Sequence, residues 1–181
     1  PMTLSKFSGG QSNPTFKVTA QSGTYVLRSQ PAGKLLKSAH AVDREYEVLD
    51  ALKDTDVAVA KVYHLCRDTS IIGSMFYLME FCDGIVYWSA SLAEITSNTV
   101  RSQMYDAMNK SLVALHSVDI NAVGLQDYGK AGNYFERQFG RWTSQYRSTE
   151  LQEIKAMDQL MLWLENHLPE DDGKVCLVHG D

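Results

Sequence analysis

The last seven residues, Val175-Cys176-Leu177-Val178-His179-Gly180-Asp181, are the stretch from which the fold can first be read. Four compact apolar residues predict a short buried strand over 175–178. Gly180 lets the backbone turn sharply after it, so the carboxylate of Asp181 can leave the sheet edge and face a cleft. A strand that delivers one aspartate into a loop can hold a general base rigidly. An ordinary Gly-Asp turn is the simpler interpretation, and this stretch alone favours it.

The N-terminal segment makes a functional role for Asp181 more plausible than an ordinary turn. Small and polar residues fill Ser8-Gly9-Gly10-Gln11-Ser12-Asn13, and strand-like segments follow at 16–19 and 24–28, separated by a turn at 21–23. Two adjacent glycines let backbone N–H groups approach an anion closely, and the flanking hydroxyl and amide groups can add donors. No Gly-Lys-Ser/Thr follows, so the loop is not a P-loop. A phosphate-binding loop and an ordinary hairpin entry therefore both fit this segment.

A pairing between Arg28 and Glu45 is the next prediction. Arg28 ends the second strand, and the helix predicted over 41–53 places Glu45 in the middle of its apolar stripe. A carboxylate that faces the core is rarely left unpaired, and Arg28 can supply a charge-assisted bond that contributes roughly 1.5–3 kcal/mol. An Arg that reaches solvent from an edge strand and a partly exposed Glu are the alternatives. The stripe consists of Val42, Tyr46, Leu49 and Leu52.

Two further strands, at 61–66 and 75–81, are followed by the strand-breaking Cys82-Asp83-Gly84. Residues 1–84 therefore predict a small antiparallel sheet with a single helix. Amphipathic helices are predicted beyond it at 99–117, 134–146 and 151–168. The apolar face of the first, methionines included, is expected to be core, and the second is expected to be a packed helix with a solvated face. The fold class is thus α+β, with a sheet-rich first part and a mainly helical second part.

In this order the motifs resemble the aminoglycoside phosphotransferase and choline kinase family of protein-kinase-like enzymes. Within it, the chain looks most like the kinase-like domains associated with acyl-CoA dehydrogenases. No single motif is specific to the family, but the occurrence of six motifs in the family's order is specific. Together they cover nearly the whole chain. They are Phe7-Ser8-Gly9-Gly10-Gln11-Ser12-Asn13, Tyr25-Val26-Leu27-Arg28, Arg44-Glu45-Tyr46, Leu78-Met79-Glu80-Phe81, Leu115-His116-Ser117-Val118-Asp119 and His179-Gly180-Asp181.

The resemblance implies a two-lobe fold and an ATP-dependent kinase that transfers the γ-phosphoryl group to a hydroxyl of a small molecule. Residues 1–84 would be the nucleotide-binding lobe and 85–181 an incomplete helical lobe that ends at the catalytic loop. Most of the family has Lys where Arg28 stands. The implied catalytic residues are Asp181, as acceptor of the hydroxyl proton, and His179, which braces the loop. The implied nucleotide-binding residues are Gly9, Gly10, Gln11, Ser12, Asn13, Arg28, Glu45, Glu80 and Cys82, and the implied substrate contacts are Arg137 and Trp142.

The same resemblance implies Mg²⁺, held by an Asn five residues after the Asp181 position and by an Asp further on. Neither ligand falls within the 181 residues, so we expect no metal ligand in the given chain and expect the chain to be a fragment or a partly recorded one. Two alternatives remain open. One is a nucleotide- or acyl-ligand-binding kinase-like module without catalysis, since fold alone does not fix function. The other, a hydrolase with His179 and Asp181 as metal ligands, lacks a third ligand at sensible spacing.

Composition excludes several other classes. The net charge is −5 and the 17 basic residues are scattered, so neither nucleic acid nor an anionic membrane is an expected partner. No apolar run approaches the roughly 20 residues of a membrane-spanning helix. The 3 cysteines are far apart and form neither a zinc pattern nor a disulfide framework, which favours a reducing, cytoplasmic location.

Overall fold

The computed structural model describes residues 1–8, 13–31, 33 and 40–179. In this part of the chain, five antiparallel strands form one sheet in the order β1-β2-β3-β5-β4. All neighbouring strands run antiparallel, as predicted for the first part of the chain. The strands are β1 Thr3–Lys6, β2 Thr15–Ala20, β3 Gly23–Ser29, β4 Val62–Cys66 and β5 Phe76–Glu80.

The β2–β3 hairpin sets the register on which the rest of the site depends. Ala20 pairs with Gly23, so the connection is the two-residue turn Gln21-Ser22. Gly23 has φ +144°, a backbone conformation that residues with a side chain rarely adopt, which explains a glycine at this corner. Antiparallel pairing then places Thr15 opposite Arg28, on the same face of the sheet.

Helix α1, Val42–Leu52, packs against β4 and β5 and confirms the helix predicted over 41–53. Its apolar stripe faces the sheet, and Val42 and Leu52 are only 0% and 2% exposed. The opposite side is acidic and solvated, where Arg67 forms ion pairs with Asp43 and Glu47 at 3.4 and 3.5 Å. The helix phase thus leaves Glu45 on the side that faces the sheet.

The remaining helices are α2 Asn98–His116, α3 Tyr134–Thr149 and α4 Lys155–Glu165. The chain divides into two compact units. The first comprises Pro1–Leu125 and the end of the chain from Leu177, and the second is Gln126–Cys176, in which α3 packs on α4. None of the helices in the described part of the chain has the length and apolar composition that a membrane span requires. The boundary at residue 84 stays a prediction.

The buried strand predicted over 175–178 is wrong. Residues 171–179 form no helix or strand, and Val175 and Val178 are 48% and 66% exposed. A β-branched run only indicates a preference, because a strand forms when its backbone N–H and C=O groups pair with another strand. No strand in the described part of the chain pairs with this segment.

Two other expectations also need correction. β1 was not predicted, because its Thr-Leu-Ser-Lys sequence is short and exposed and gains strand structure only from pairing with β2. The apolar face of α2 was expected to be core, yet no residue of α2 is buried and Met108 is 57% exposed. Periodicity identifies the apolar face of a helix, but which element covers that face is a tertiary property.

Candidate functional site

The candidate site is built on one face of the sheet, where Thr15, Arg28 and Tyr77 stand side by side on three neighbouring strands. Helix α1 packs against β4 and β5 and presents Glu45 to this face. Arg28 Nε donates to Glu45 Oε2 at 2.6 Å, and Arg28 Nη2 donates to Oε1 at 3.1 Å. The two side chains are 30% and 33% exposed, so the pair is only partly shielded from water. The predicted Arg28–Glu45 pair is therefore present in the structure, in the two-pronged geometry that only Arg can make.

Every acceptor position of the Glu45 carboxylate is used. Oε1 accepts from Arg28 Nη2 and from Asn13 Nδ2 at 2.8 Å, while Oε2 accepts from Arg28 Nε and from the Tyr77 hydroxyl at 3.2 Å. A carboxylate offers about four lone-pair positions, so four donors saturate it. A charge held by four hydrogen bonds has little freedom to rotate, which fixes the orientation of the guanidinium in turn.

Two pKa shifts report the same contacts. Hydrogen bonding to Glu45 raises the pKa of Arg28 above its ordinary value, and burial acts in the opposite direction. Burial raises the pKa of Tyr77 well above its ordinary value, and the neighbouring charge of Glu45 adds to the shift. Tyr77 is 2% exposed, so its hydroxyl stays protonated and acts as a donor to Glu45.

Arg28 keeps donors for a further ligand. Its hydrogen bonds to described residues are the two to Glu45 and one from Nη1 to Thr15 Oγ1 at 3.1 Å. A guanidinium has five N–H groups, so two of them, one on each terminal nitrogen, are not engaged by these contacts. Because the guanidinium is planar and fixed on one edge, its remaining donors are held in place, which suits an anion such as a phosphate.

A second row of side chains lies on the same sheet face, about 7 Å along the strands from the first. It consists of Lys17, Val26 and Met79, and Phe81 follows two residues after Met79. The Lys17 ammonium sits over the Phe81 ring, 4.2 Å from its centre. The row gives the face an apolar area beside the polar one.

The segment predicted to be a hinge, Glu80 to Cys82, leaves the sheet at this point. Glu80 is the last residue of β5, and its backbone N–H donates to the carbonyl of Lys61 at 2.7 Å. Cys82 lies beyond the strand and is exposed. The backbone of Cys82 is therefore outside the sheet ladder, as a hinge that binds a ligand edge requires.

Several predicted residues lie outside the described residues: Gly9, Gly10, Gln11, Ser12 and Asp181. Their roles stay predictions. His179 is described, lies in the first unit and is exposed. Asn13, the last residue of the glycine-rich stretch, is 5% exposed and contacts Glu45. The end of this stretch is therefore held by the Arg28–Glu45 pair.

Arg137 and Trp142 both lie on α3 in the second unit, and the structure gives Arg137 a local role. Its Nη2 donates to the carbonyl of Lys130 at 2.7 Å, which holds the loop before the helix. Trp142 is 56% exposed, with the Arg141 guanidinium 5.1 Å from its ring centre. Their predicted contact with a substrate stays a prediction.

The sequence interpretation missed Thr15 and Tyr77 of the first row and gave no site role to any residue of the second row. Thr15 and Lys17 could have been found, because a two-residue turn at Gln21-Ser22 places them opposite Arg28 and Val26. Tyr77 could not, because the pairing of β3 with β5 joins segments some fifty residues apart and no local signal fixes its register.

A five-stranded antiparallel sheet with one helix across it, whose inward glutamate binds a strand cation, defines a kinase-like fold of the α+β class. The comparison with protein families agrees: the model of the phosphotransferase enzyme family (APH) matches residues 3–181. The chain belongs to the phosphotransferase enzyme family. The resemblance deduced from the six motifs is thereby confirmed.

Relatives include a bacterial protein and two animal ones. The crystal structure of a "putative aminoglycoside phosphotransferase" from Ralstonia eutropha superimposes with a TM-score of 0.86 at 49% identity and covers 100% of this chain. Acyl-CoA dehydrogenase family member 10 of Mus musculus is 46% identical over 100% of the chain, and family member 11 of the same organism is 42% identical over 99%. The chain spans 52% of the bacterial protein and 17% and 23% of the two mouse proteins.

Proposed function

We propose that this chain is the nucleotide-binding part of an ATP-dependent small-molecule kinase, which moves the γ-phosphoryl group to a hydroxyl. Residues 1–84 form its nucleotide-binding lobe and 85–181 belong to its helical lobe. Membership of the phosphotransferase enzyme family supports the reaction class.

The single observation that carries the proposal is the geometry of Arg28. Glu45 fixes one edge of the guanidinium at 2.6 and 3.1 Å, and two of its five N–H groups are not engaged by any described residue. A buried or half-buried cation fixed by a carboxylate on a crossing helix can hold the α- and β-phosphates of ATP without moving during the reaction. The observed donor set thus fits a phosphate ligand.

The other nucleotide contacts follow from position. The backbone of Glu80 to Cys82 holds the adenine edge, and the row Lys17, Val26 and Met79 provides a surface on which the base can lie. Gly9 to Ser12 cover the phosphates with backbone N–H groups. Arg137 and Trp142 contact the acceptor.

In the transfer step, Asp181 accepts the proton of the substrate hydroxyl, and His179 braces its loop. The substrate oxygen forms the new bond to the γ-phosphorus, the bond from that phosphorus to the β,γ-bridging oxygen breaks, and ADP leaves with that oxygen. Mg²⁺ would neutralise charge on the phosphates when bound. Among the described residues, no group of three or more His, Cys, Asp or Glu side chains could hold a metal, so no step here is assigned to one.

Calorimetry with ATP and an assay of ATP consumption over a panel of hydroxylated metabolites, both on the full-length protein, test the proposal. We expect Arg28→Ala to weaken ATP binding by about tenfold or more, because the variant loses a charge-assisted contact with the phosphates. We expect Asp181→Asn to abolish turnover and to leave ATP affinity unchanged.

Arg67→Ala is the matched control, because Arg67 pairs with the outward side of the same helix. Unchanged affinity in Arg28→Ala would remove Arg28 from the site. Tight ATP binding with no consumption on any acceptor would instead indicate the non-catalytic binding module.

A further inference from the structure

Asn13 occupies a position that the nucleotide-binding role does not explain. It is 5% exposed, and both ends of its amide are used by residues distant in sequence. Nδ2 donates to Glu45 Oε1 at 2.8 Å, and Oδ1 lies 3.0 Å from His40 Nδ1. Its backbone carbonyl accepts from Thr15 Oγ1 at 3.0 Å. Asn13 therefore connects the end of the glycine-rich stretch to helix α1 and to β2.

The orientation of this amide follows from the chemistry of its neighbours. Glu45 is an ionised partner of Arg28 and can only accept hydrogen bonds, so the NH₂ group of Asn13 must face it. Oδ1 then faces His40, which must carry its proton on Nδ1 to donate. His40 is itself held, since its carbonyl accepts from Gln30 Nε2 at 3.2 Å. The amide is thus fixed from both sides.

Within the described part of the chain, Asn13 supplies the one donor to Oε1 that does not come from Arg28, just as Tyr77 does for Oε2. Without it, Oε1 loses one of two donors while Oε2 keeps both. The carboxylate is then free to turn towards Tyr77 or to accept water, because it is 33% exposed. Since Arg28 binds both oxygens side-on, any turn of the carboxylate tilts the guanidinium.

We propose that Asn13 is a positioning residue, which orients Glu45 and through it aims the free N–H groups of Arg28 at the phosphates of the nucleotide. This inference rests on the proposed function. This role differs from the direct phosphate contact that the sequence predicts for Asn13. A residue that acts through Arg28 has no effect on ATP affinity once Arg28 is absent, whereas a direct phosphate contact keeps its effect.

A double-mutant cycle separates the two roles. ATP affinity is measured by calorimetry for the wild type, Asn13→Ala, Arg28→Ala and the double variant. We expect Asn13→Ala to weaken binding about three- to tenfold in the wild type but less than about twofold in the Arg28→Ala background, because the two residues act as one unit. Equal losses in both backgrounds would overturn the proposal and leave Arg28 and the proposed function in place.

Two comparison variants make the cycle sharper. Tyr77→Phe removes the matching donor on the other carboxylate oxygen, so it should show the same dependence on Arg28. Asn166→Ala removes an asparagine side chain that donates to the Leu162 carbonyl at the end of α4, and should leave affinity unchanged. If Asn13→Ala does not fold, Asn13→Leu is used, because it keeps the size of the side chain, removes the donor and adds no charge beside Glu45.

A second measurement does not need a nucleotide. The Nε–H proton of Arg28 gives an NMR signal that can be assigned by its loss in Arg28→Lys. We expect this proton to exchange slowly with water in the wild type and at least about tenfold faster in Asn13→Ala, as Glu45 loses its fixed orientation. An unchanged exchange rate in Asn13→Ala would refute the positioning role, whether or not the wild type binds ATP. A wild type that binds no ATP would separately refute the proposed function.

Discussion

Replacing Arg28 by Lys tests whether the fork geometry of the pair with Glu45 matters beyond its charge. Arg28 makes three hydrogen bonds, two to the carboxylate oxygens and one to Thr15 across the hairpin. Lys keeps the positive charge, but its compact ammonium cannot reach both oxygens side-on and Thr15 at the same time. We therefore expect a stable but weakened protein.

The magnitude follows from the contacts that are lost. One bond to Glu45 and the bond to Thr15 go, at about 0.5–1.5 kcal/mol each for a net hydrogen bond. Both partners are about a third exposed, at 30% and 33%, so water takes over part of each contact. The free energy of unfolding should fall by about 1–2 kcal/mol.

Urea unfolding at neutral pH measures this change. With an m-value of about 2 kcal/mol/M, the midpoint should fall by roughly 0.5–1 M. Arg67→Lys is the control, since Arg67 is 56% exposed and its ion pairs are long, and it should change stability by less than about 0.5 kcal/mol. If Arg28→Lys is as stable as the control, the two-pronged geometry contributes nothing and the argument from it is wrong.

Two further predictions concern titration and one concerns packing. The raised pKa of Tyr77 means that folding favours its protonated form, so this stabilisation is complete below about pH 10 and is lost above it. Tyr77→Phe should therefore be less stable at neutral pH but show a smaller alkaline loss, and a stability gap that stays constant through pH 11 would contradict this. The backbone N–H groups of Gly173 and Asn133 lower the pKa of Asp171, so its contribution is present above about pH 4 and is lost as the pH falls further. In Asp171→Asn the acid-induced loss of thermal stability should be smaller, and identical acid profiles would contradict it. Val42→Ala removes two methyl groups at a site that is 0% exposed and should cost about 2 kcal/mol by urea unfolding, whereas a neutral outcome would mean that α1 repacks.

The site shows where local sequence is sufficient. Helix periodicity predicts Glu45 within the apolar stripe, and strand alternation predicts the second strand that carries Arg28; the structure has both. These are one-dimensional properties, set by 3.6 residues per turn and by a two-residue alternation. The hairpin register also depends only on the length of its turn.

What the sequence by itself determined is therefore the family, four of the five strands and the Arg28–Glu45 pair, because each depends on short-range geometry or on motifs in order. Only the tertiary structure decided that Tyr77 and Asn13 complete the carboxylate of Glu45, since both come from segments 32 residues away in the chain. It also decided that residues 175–178 form no strand, although their composition favours one. The reason is the same in both cases: hydrogen bonds between distant segments require a partner, and the position of a partner is not encoded in local sequence.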